Sequence, residues 1–310
     1  MVNDAEDAAG SNFEDPLAAQ AAQLWRPGAT VGVIGGLGEM GRLFATFFQD
    51  LGYRTAIADV ANGRDSREVL AESNIVLFCV PLHKTVAIIG ELLPHVREDQ
   101  LLMDVTSLKV PPVQQMLRSP ASVVGLHPMF GGRIASFEGQ TLVACPARID
   151  PRDWHFVRSL FIGKGMRVKE CSPEQHDRMM SIIQVLFHMT SMLIGRVLRD
   201  LSVDIAETMD FTSPSYRLEI NLLGRMFAQN GALYSAISQM NPYTGDIISL
   251  LKDGLACYEQ WYAAEDLEAF IRDFEQSARH LGDFCQQAYR ESSALLAFGT
   301  QLANNNSKAS

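Results

Sequence analysis

Near its start the chain carries a short buried-strand pattern, Thr30-Val31-Gly32-Val33-Ile34, that leads into Gly36-Leu37-Gly38-Glu39-Met40-Gly41 and a helical period from Glu39 to Leu51. A G-x-G-x-x-G string alone is a weak signal. One that follows a strand, opens a helix and precedes a second strand restricts the fold sharply. Gly36 permits the tight turn, Gly38 lets the backbone approach a pyrophosphate, and Gly41 lets helix and strand pack closely. Phosphates would then meet unpaired N–H groups at the positive end of the helix. The loop from Gly36 to Gly41, with Leu37, Glu39 and Met40 between the glycines, is therefore expected to bind a dinucleotide. The second strand, Tyr53 to Ala58, ends at Asp59, 23 residues after Gly36. A carboxylate there accepts hydrogen bonds from a ribose 2′-hydroxyl and repels a 2′-phosphate, which favours NAD over NADP. Val80 and Pro81, closing the apolar run that starts at Ile75, complete the expected cofactor contacts.

Further strand patterns lie at Leu101 to Val105, Val123 to Leu126, Thr141 to Ala144 and Met166 to Glu170, with a helix from Pro151 to Ile162. Strands alternating with helices predict a mostly parallel, doubly wound sheet. The fold class expected is an α/β Rossmann-type dinucleotide-binding domain over residues 28–172, followed by an all-α domain over 173–298. Ser172 suits the N-cap and Pro173 the first helical position of that second domain. Met179, Met180, Ile183 and Phe187 read as its core. Residues 1–27 read as a flexible acidic tail with no Lys or Arg before Arg26, in which residues 16–25 suit a short amphipathic helix; residues 299–310 read as frayed.

Composition excludes several classes. The net charge of −10 comes without a basic stripe, so neither nucleic acid nor an anionic membrane is an expected partner. The five cysteines are scattered without a CxxC pair, so no metal site or disulfide framework is expected, and Cys79 and Cys145 read as buried small hydrophobes. The start lacks a signal-peptide pattern and no apolar run approaches the ~20 residues of a spanning helix, so the expected location is cytoplasmic.

The chemistry should lie in Asp104-Val105-Thr106-Ser107-Leu108-Lys109 and Gly125-Leu126-His127-Pro128-Met129-Phe130-Gly131, which both follow predicted strands. An open α/β sheet places ligands at the carboxyl ends of its strands. His127 and Ser107 there would face the nicotinamide half of the cofactor, where hydride transfer needs a partner for the substrate's hydroxyl proton. Without that role they would be a loop histidine and a turn-forming serine.

The stretches GGLGEMGRLF, DVTSLK, GLHPMFG, EQHDRMM with IIQVLFH, and SPSYRLEINLLGRMFAQ together resemble the prephenate dehydrogenases. The chain is most similar to the dehydrogenase part of the enteric chorismate mutase–prephenate dehydrogenases, from residue 31 to about 290. The resemblance implies NAD-dependent oxidative decarboxylation of a cyclohexadienyl dicarboxylate. It implies His127 as the catalytic base, Ser107 beside the same hydroxyl and orienting His127, and Lys109 among the substrate-binding residues as a supporting charge. Arg225 matches the arginine on a substrate carboxylate, and Arg217, about 80° away around the same helix, serves that site or buttresses it. His176, Gln184 and His188 match positions near the substrate, the last two being one turn apart; a histidine in an apolar helix is otherwise a satisfied core residue. A homodimer is implied as well. With about 27 residues before the first strand and few after residue 300, neither mutase activity nor an appended regulatory module is expected.

Phe187 replaces a basic residue of the enteric pattern, and Ala236 stands where an acidic one follows Tyr234. Three readings follow: oxidation of prephenate to 4-hydroxyphenylpyruvate for tyrosine biosynthesis; the same reaction on 4-amino-4-deoxyprephenate, giving 4-aminophenylpyruvate in antibiotic-type metabolism; or a non-catalytic NAD-sensing or partner-binding protein. Arogenate fits less well with HPMFG.

Overall fold

A computed structural model describes residues 26–307, which fall into two compact units divided between Met180 and Ser181. The division comes eight residues later than the sequence suggests, inside the first helix run of the second half. The acidic tail lies outside the described residues up to position 25, as do residues 308–310.

The first unit is built on one seven-stranded sheet in the order β2-β1-β3-β4-β5-β6-β7. Its strands are β1 (Thr30–Ile34), β2 (Arg54–Ala58), β3 (Ile75–Phe78), β4 (Leu101–Asp104), β5 (Ser122–Pro128), β6 (Thr141–Arg148) and β7 (Arg167–Glu170). The first five are parallel, β6 runs antiparallel to β5, and β7 runs parallel to β6. The run Ile75–Phe78 shows why these strands read as continuously apolar. Ile75 and Leu77 join one buried cluster while Val76 and Phe78 join the other, because successive side chains leave on opposite faces.

Helices α1 (Glu39–Asp50) and α5 (Pro151–Ile162) cover the first face, where Phe47 stacks on Phe161 with ring centroids 5.3 Å apart. Helices α2 (Ser66–Glu72), α3 (Leu82–Leu92) and α4 (Val110–Met116) cover the other. Helix α6 (Pro173–Met180) completes this unit. Because β1 lies between β2 and β3, the strand order reverses at β1, and the loops after β1 and β3 flank the crevice where such sheets take ligands.

The second unit is helical throughout. It opens with a π-helical segment (Ser181–Leu186) and continues through α7 (Phe187–Asp200), α8 (Ile205–Asp210), α9 (Pro214–Phe227), α10 (Gly231–Met240), α11 (Thr244–Ala263), α12 (Leu267–Leu281) and α13 (Phe284–Ser307). Residues 299–307, expected to fray, are the end of α13.

Two other expectations change. Met180 is buried, but Met179 and Ile183 are exposed and Phe187 is 63% exposed, so most of the expected core row faces outward in the single chain. Met192, Leu193, Ile194 and Val197 on α7 are exposed too. The helical run Pro173–Asp200 is also long and apolar enough, by length and composition alone, to cross a membrane, contrary to the expectation that no run is. Interrupting polar residues hide its apolar character from a search for unbroken runs.

Candidate active site

The glycine loop owes its shape to close approaches that no side chain would tolerate. The residue in the left-handed region is Gly35, with φ of 81°; a Cβ there would lie 2.7 Å from the Cys79 carbonyl oxygen. The tight turn expected of Gly36 thus belongs to its neighbour, which the doubled glycine of the sequence could have signalled. A Cβ on Gly36 would meet Ile57 at 2.6 Å, and one on Gly41 would meet the Gly35 carbonyl oxygen at 2.3 Å. Gly41 therefore lets α1 sit against the loop. Gly38 is the N-cap of α1 and makes no side-chain cap; beyond its own helix and chain neighbours, its missing Cβ would meet among the described residues just the Gly35 oxygen, at 3.4 Å, which leaves room for a ligand. Val80 packs against Gly35 from the loop after β3, and Pro81 caps α3.

Asp59 follows β2 and reaches back to this loop. Its Oδ2 accepts the Leu37 N–H at 3.0 Å, and its Oδ1 accepts the Ala61 N–H at 3.0 Å. The carboxylate is thus held beside the phosphate loop, where the expected ribose would lie, and the cradle fits a dinucleotide. Replacing it by alanine is expected to lower the NAD-to-NADP ratio of kcat/KM by about tenfold or more, as loss of a hydrogen bond to a charged group worth about 1.5–3 kcal/mol allows. Parallel rate measurements with the two cofactors check this; an unchanged ratio would place Asp59 away from the ribose.

His127 lies within β5, one residue past the expected end of the strand, and is 4% exposed. Its Nδ1 is 2.8 Å from His176 Nε2, and His176 Nδ1 is 2.7 Å from Asp177 Oδ1. His176 is 1% exposed and Asp177 fully buried. Asp177 also accepts the backbone N–H of Lys109 (2.7 Å) and of Val110 (3.0 Å), tying α6 to the loop after β4. The group that holds His127 on its Nδ1 side is therefore His176, where the sequence had suggested Ser107. Ser107 is half-buried in the loop after β4, two residues before Lys109.

Burial first, and then His176 and the charge of Lys109, hold the His127 imidazole well below its ordinary pKa. His176 is also lowered by burial, against the raising effect of its hydrogen bond to the Asp177 carboxylate. Both rings are neutral near pH 7, the state a proton acceptor requires.

Lys109 does not face an open surface. It is fully buried, with its ammonium on the Asp104 carboxylate and, at 2.7 Å, on the Leu126 carbonyl oxygen. Gly125 makes room for it, since a Cβ there would lie 3.0 Å from Lys109 Cδ. Its placement suits a support for the end of β5, rather than the substrate contact expected from the resemblance.

The helical unit carries its own cluster. The His188 ring lies 4.6 Å from that of Tyr234, edge to face, and burial lowers the His188 pKa. His188 Nδ1 is buried without a hydrogen-bond partner among the described residues. Burial raises the Tyr234 phenol while the charge of Arg225 opposes the shift. Arg225 is exposed and Arg217 half-buried, and neither forms an ion pair with a described residue. Gln184 falls in the π-helical segment, whose wider turn breaks the simple one-turn relation to His188.

A dinucleotide cradle, joined in one sheet to a buried, neutral histidine at a strand's carboxyl end, defines a dehydrogenase. Residues 49–170 match the nucleotide-binding domain of prephenate dehydrogenase, and residues 172–280 match its dimerization domain. The T-protein of Haemophilus influenzae is 32% identical over 271 residues, 87% of this chain and 72% of that protein. The "Probable arogenate/prephenate dehydrogenase" of Methanocaldococcus jannaschii is 30% identical over 297 residues, 89% of this chain and 67% of the relative. Prephenate dehydrogenase from Aquifex aeolicus, solved with hydroxyphenyl propionate and NAD+, shares the fold with a TM-score of 0.61 at 18% identity, over 82% of this chain and 98% of that one. Synechocystis arogenate dehydrogenase does so at 0.61 and 19%, over 81% and 98%. The chain belongs to the prephenate dehydrogenase family. It is an oxidoreductase, and its cofactor is NAD.

Proposed function

We propose that this protein oxidises prephenate to 4-hydroxyphenylpyruvate with loss of CO2, as a cytoplasmic homodimer serving tyrosine biosynthesis. The observation that carries the reading is His127, buried, neutral and held through Nδ1 at the carboxyl end of β5. Bound NAD supplies the hydride acceptor. As C4 loses its hydride, positive charge builds on the C4–O unit, and His127 takes up the hydroxyl proton. The ring carboxylate departs as CO2, its bonding electrons make the ring aromatic, and the phenol oxygen takes the proton back. Ser107 contacts the same hydroxyl. Arg225, with Arg217 in support, binds carboxylate; a guanidinium with no ion-pair partner among the described residues suits a dianion, and its planar fork matches the group. Gln184 and His188 contact the substrate, while His176, buried with both ring nitrogens engaged, acts through His127.

The exposed apolar side chains of α7 support the dimer, since they lie within the stretch that matches a dimerization domain. A second copy would also cover the apolar run Pro173–Asp200, without any need for a membrane. Nucleic acid remains outside the reading, given the acidic chain. The test is stoichiometric: with prephenate, NADH and CO2 should form one to one, followed by absorbance and by a coupled CO2 assay. NADH without CO2 would overturn the decarboxylating step, and neither product would overturn the substrate class.

A further inference from the structure

We propose that Asp177 is a positioning residue that fixes the tautomer of His127 through His176, so that the lone pair of His127 sits on Nε2 and faces the reaction. The inference deepens, and rests on, the reading of His127 as the proton acceptor. A carboxylate presents only acceptors. Asp177 Oδ1, 2.7 Å from His176 Nδ1, therefore receives a proton from that nitrogen. A neutral imidazole has one N–H, so His176 Nε2 carries a lone pair and accepts from His127 Nδ1, 2.8 Å away. His127 Nδ1 is then its N–H, and Nε2 is the basic nitrogen. Each tautomer follows from the one before, starting at the Asp177 carboxylate.

Asp177 is itself held in place. The backbone N–H groups of Lys109 and Val110 both donate to it, so the loop carrying Ser107 fixes the same carboxylate that orients the bases. When His127 Nε2 takes the substrate proton, Nδ1–H stays bonded to His176, and the new charge is stabilised across the pair by Asp177. No proton passes on to the carboxylate. The other charged groups acting on the two rings are Lys109 and Asp104, from the loop after β4 and the end of β4. The nearby thiols of Cys145 and Cys171 are pushed up by burial and stay neutral.

The test is Asp177→Asn in the full chain. An asparagine can donate to His176 Nδ1, which reverses both tautomers and leaves a proton on His127 Nε2. We expect kcat to fall by roughly two to four orders of magnitude, the range that loss of a base or of its tautomer brings. KM for NAD should stay within about threefold, because the glycine loop is untouched. The acid limb of kcat/KM should also move to lower pH, since the carboxylate favours the charged form of the pair and its loss makes protonation harder. Asp177→Glu, which keeps the carboxylate, should recover part of kcat. A merely structural aspartate would lower kcat with the acid limb unmoved, and that result would overturn the proposal.

Nitrogen-15 spectra of the histidine-labelled protein read the tautomer without any substrate. Wild type should show His127 protonated on Nδ1 and unprotonated on Nε2; the reverse would overturn the proposal even if Asp177→Asn fails to fold. Should no candidate substrate be turned over, the proposed function fails, while the spectra still decide the tautomer.

Discussion

Replacing His127 by asparagine is expected to lower kcat by about 10²- to 10⁴-fold, the contribution of a positioned general base, while the Kd for NAD stays within about twofold. The size follows from what the substitution removes. Asparagine retains an amide that can donate to His176 Nε2, 2.8 Å from the present Nδ1, so the strand end keeps its anchor. It has no nitrogen able to take a proton. The pH profile gives the matching sign for the wild-type enzyme: burial, His176 and Lys109 lower the His127 pKa, so the base stays unprotonated to below 6.5 and the acid limb of kcat/KM lies below that value. Steady-state rates and NAD titration check both parts. Turnover that survives the substitution would make His127 a structural residue.

Arg225→Gln is expected to act on binding. A hydrogen bond to a charged group contributes about 1.5–3 kcal/mol. Because Arg225 is exposed, the lower end applies, a loss of about tenfold in kcat/KM. Most of it should be a rise in KM for the substrate, since the carboxylate is bound alike before and during reaction. Arg217→Gln should act in the same direction and less. Neither arginine forms an ion pair with a described residue, so their removal leaves no orphaned protein carboxylate to confuse the result. An unchanged KM would sink the carboxylate assignment.

The dinucleotide half was legible because its constraints are local. A glycine where two backbones nearly touch, as at Gly41, leaves a mark in the sequence at fixed spacing from a strand. The parallel sheet followed from runs such as Ile75–Phe78, apolar on both faces. Less legible was whatever depends on contacts far apart in the chain. Asp177 lies within EQHDRMM, but its role comes from residues 109 and 110, 67 positions or more away, and no periodicity encodes that. Lys109 looked available for a substrate because its burial with Asp104 depends on how β4 meets β5. The π-helical segment at Ser181–Leu186 is invisible to a 3.6-residue pattern. Apolar periodicity also marks a covered face without saying what covers it, which is why Met179, Ile183 and Phe187 read as core and turn out exposed in one chain.

The family includes enzymes named for prephenate and for arogenate, and the shared fold does not separate them. The central claim is therefore tested by initial rates of NADH formation with prephenate, arogenate and 4-amino-4-deoxyprephenate, side by side on the same preparation. The account predicts the highest kcat/KM for prephenate. A value tenfold or more higher for the amino compound, a difference of about 1.4 kcal/mol in transition-state binding, would contradict it, as would such a preference for arogenate.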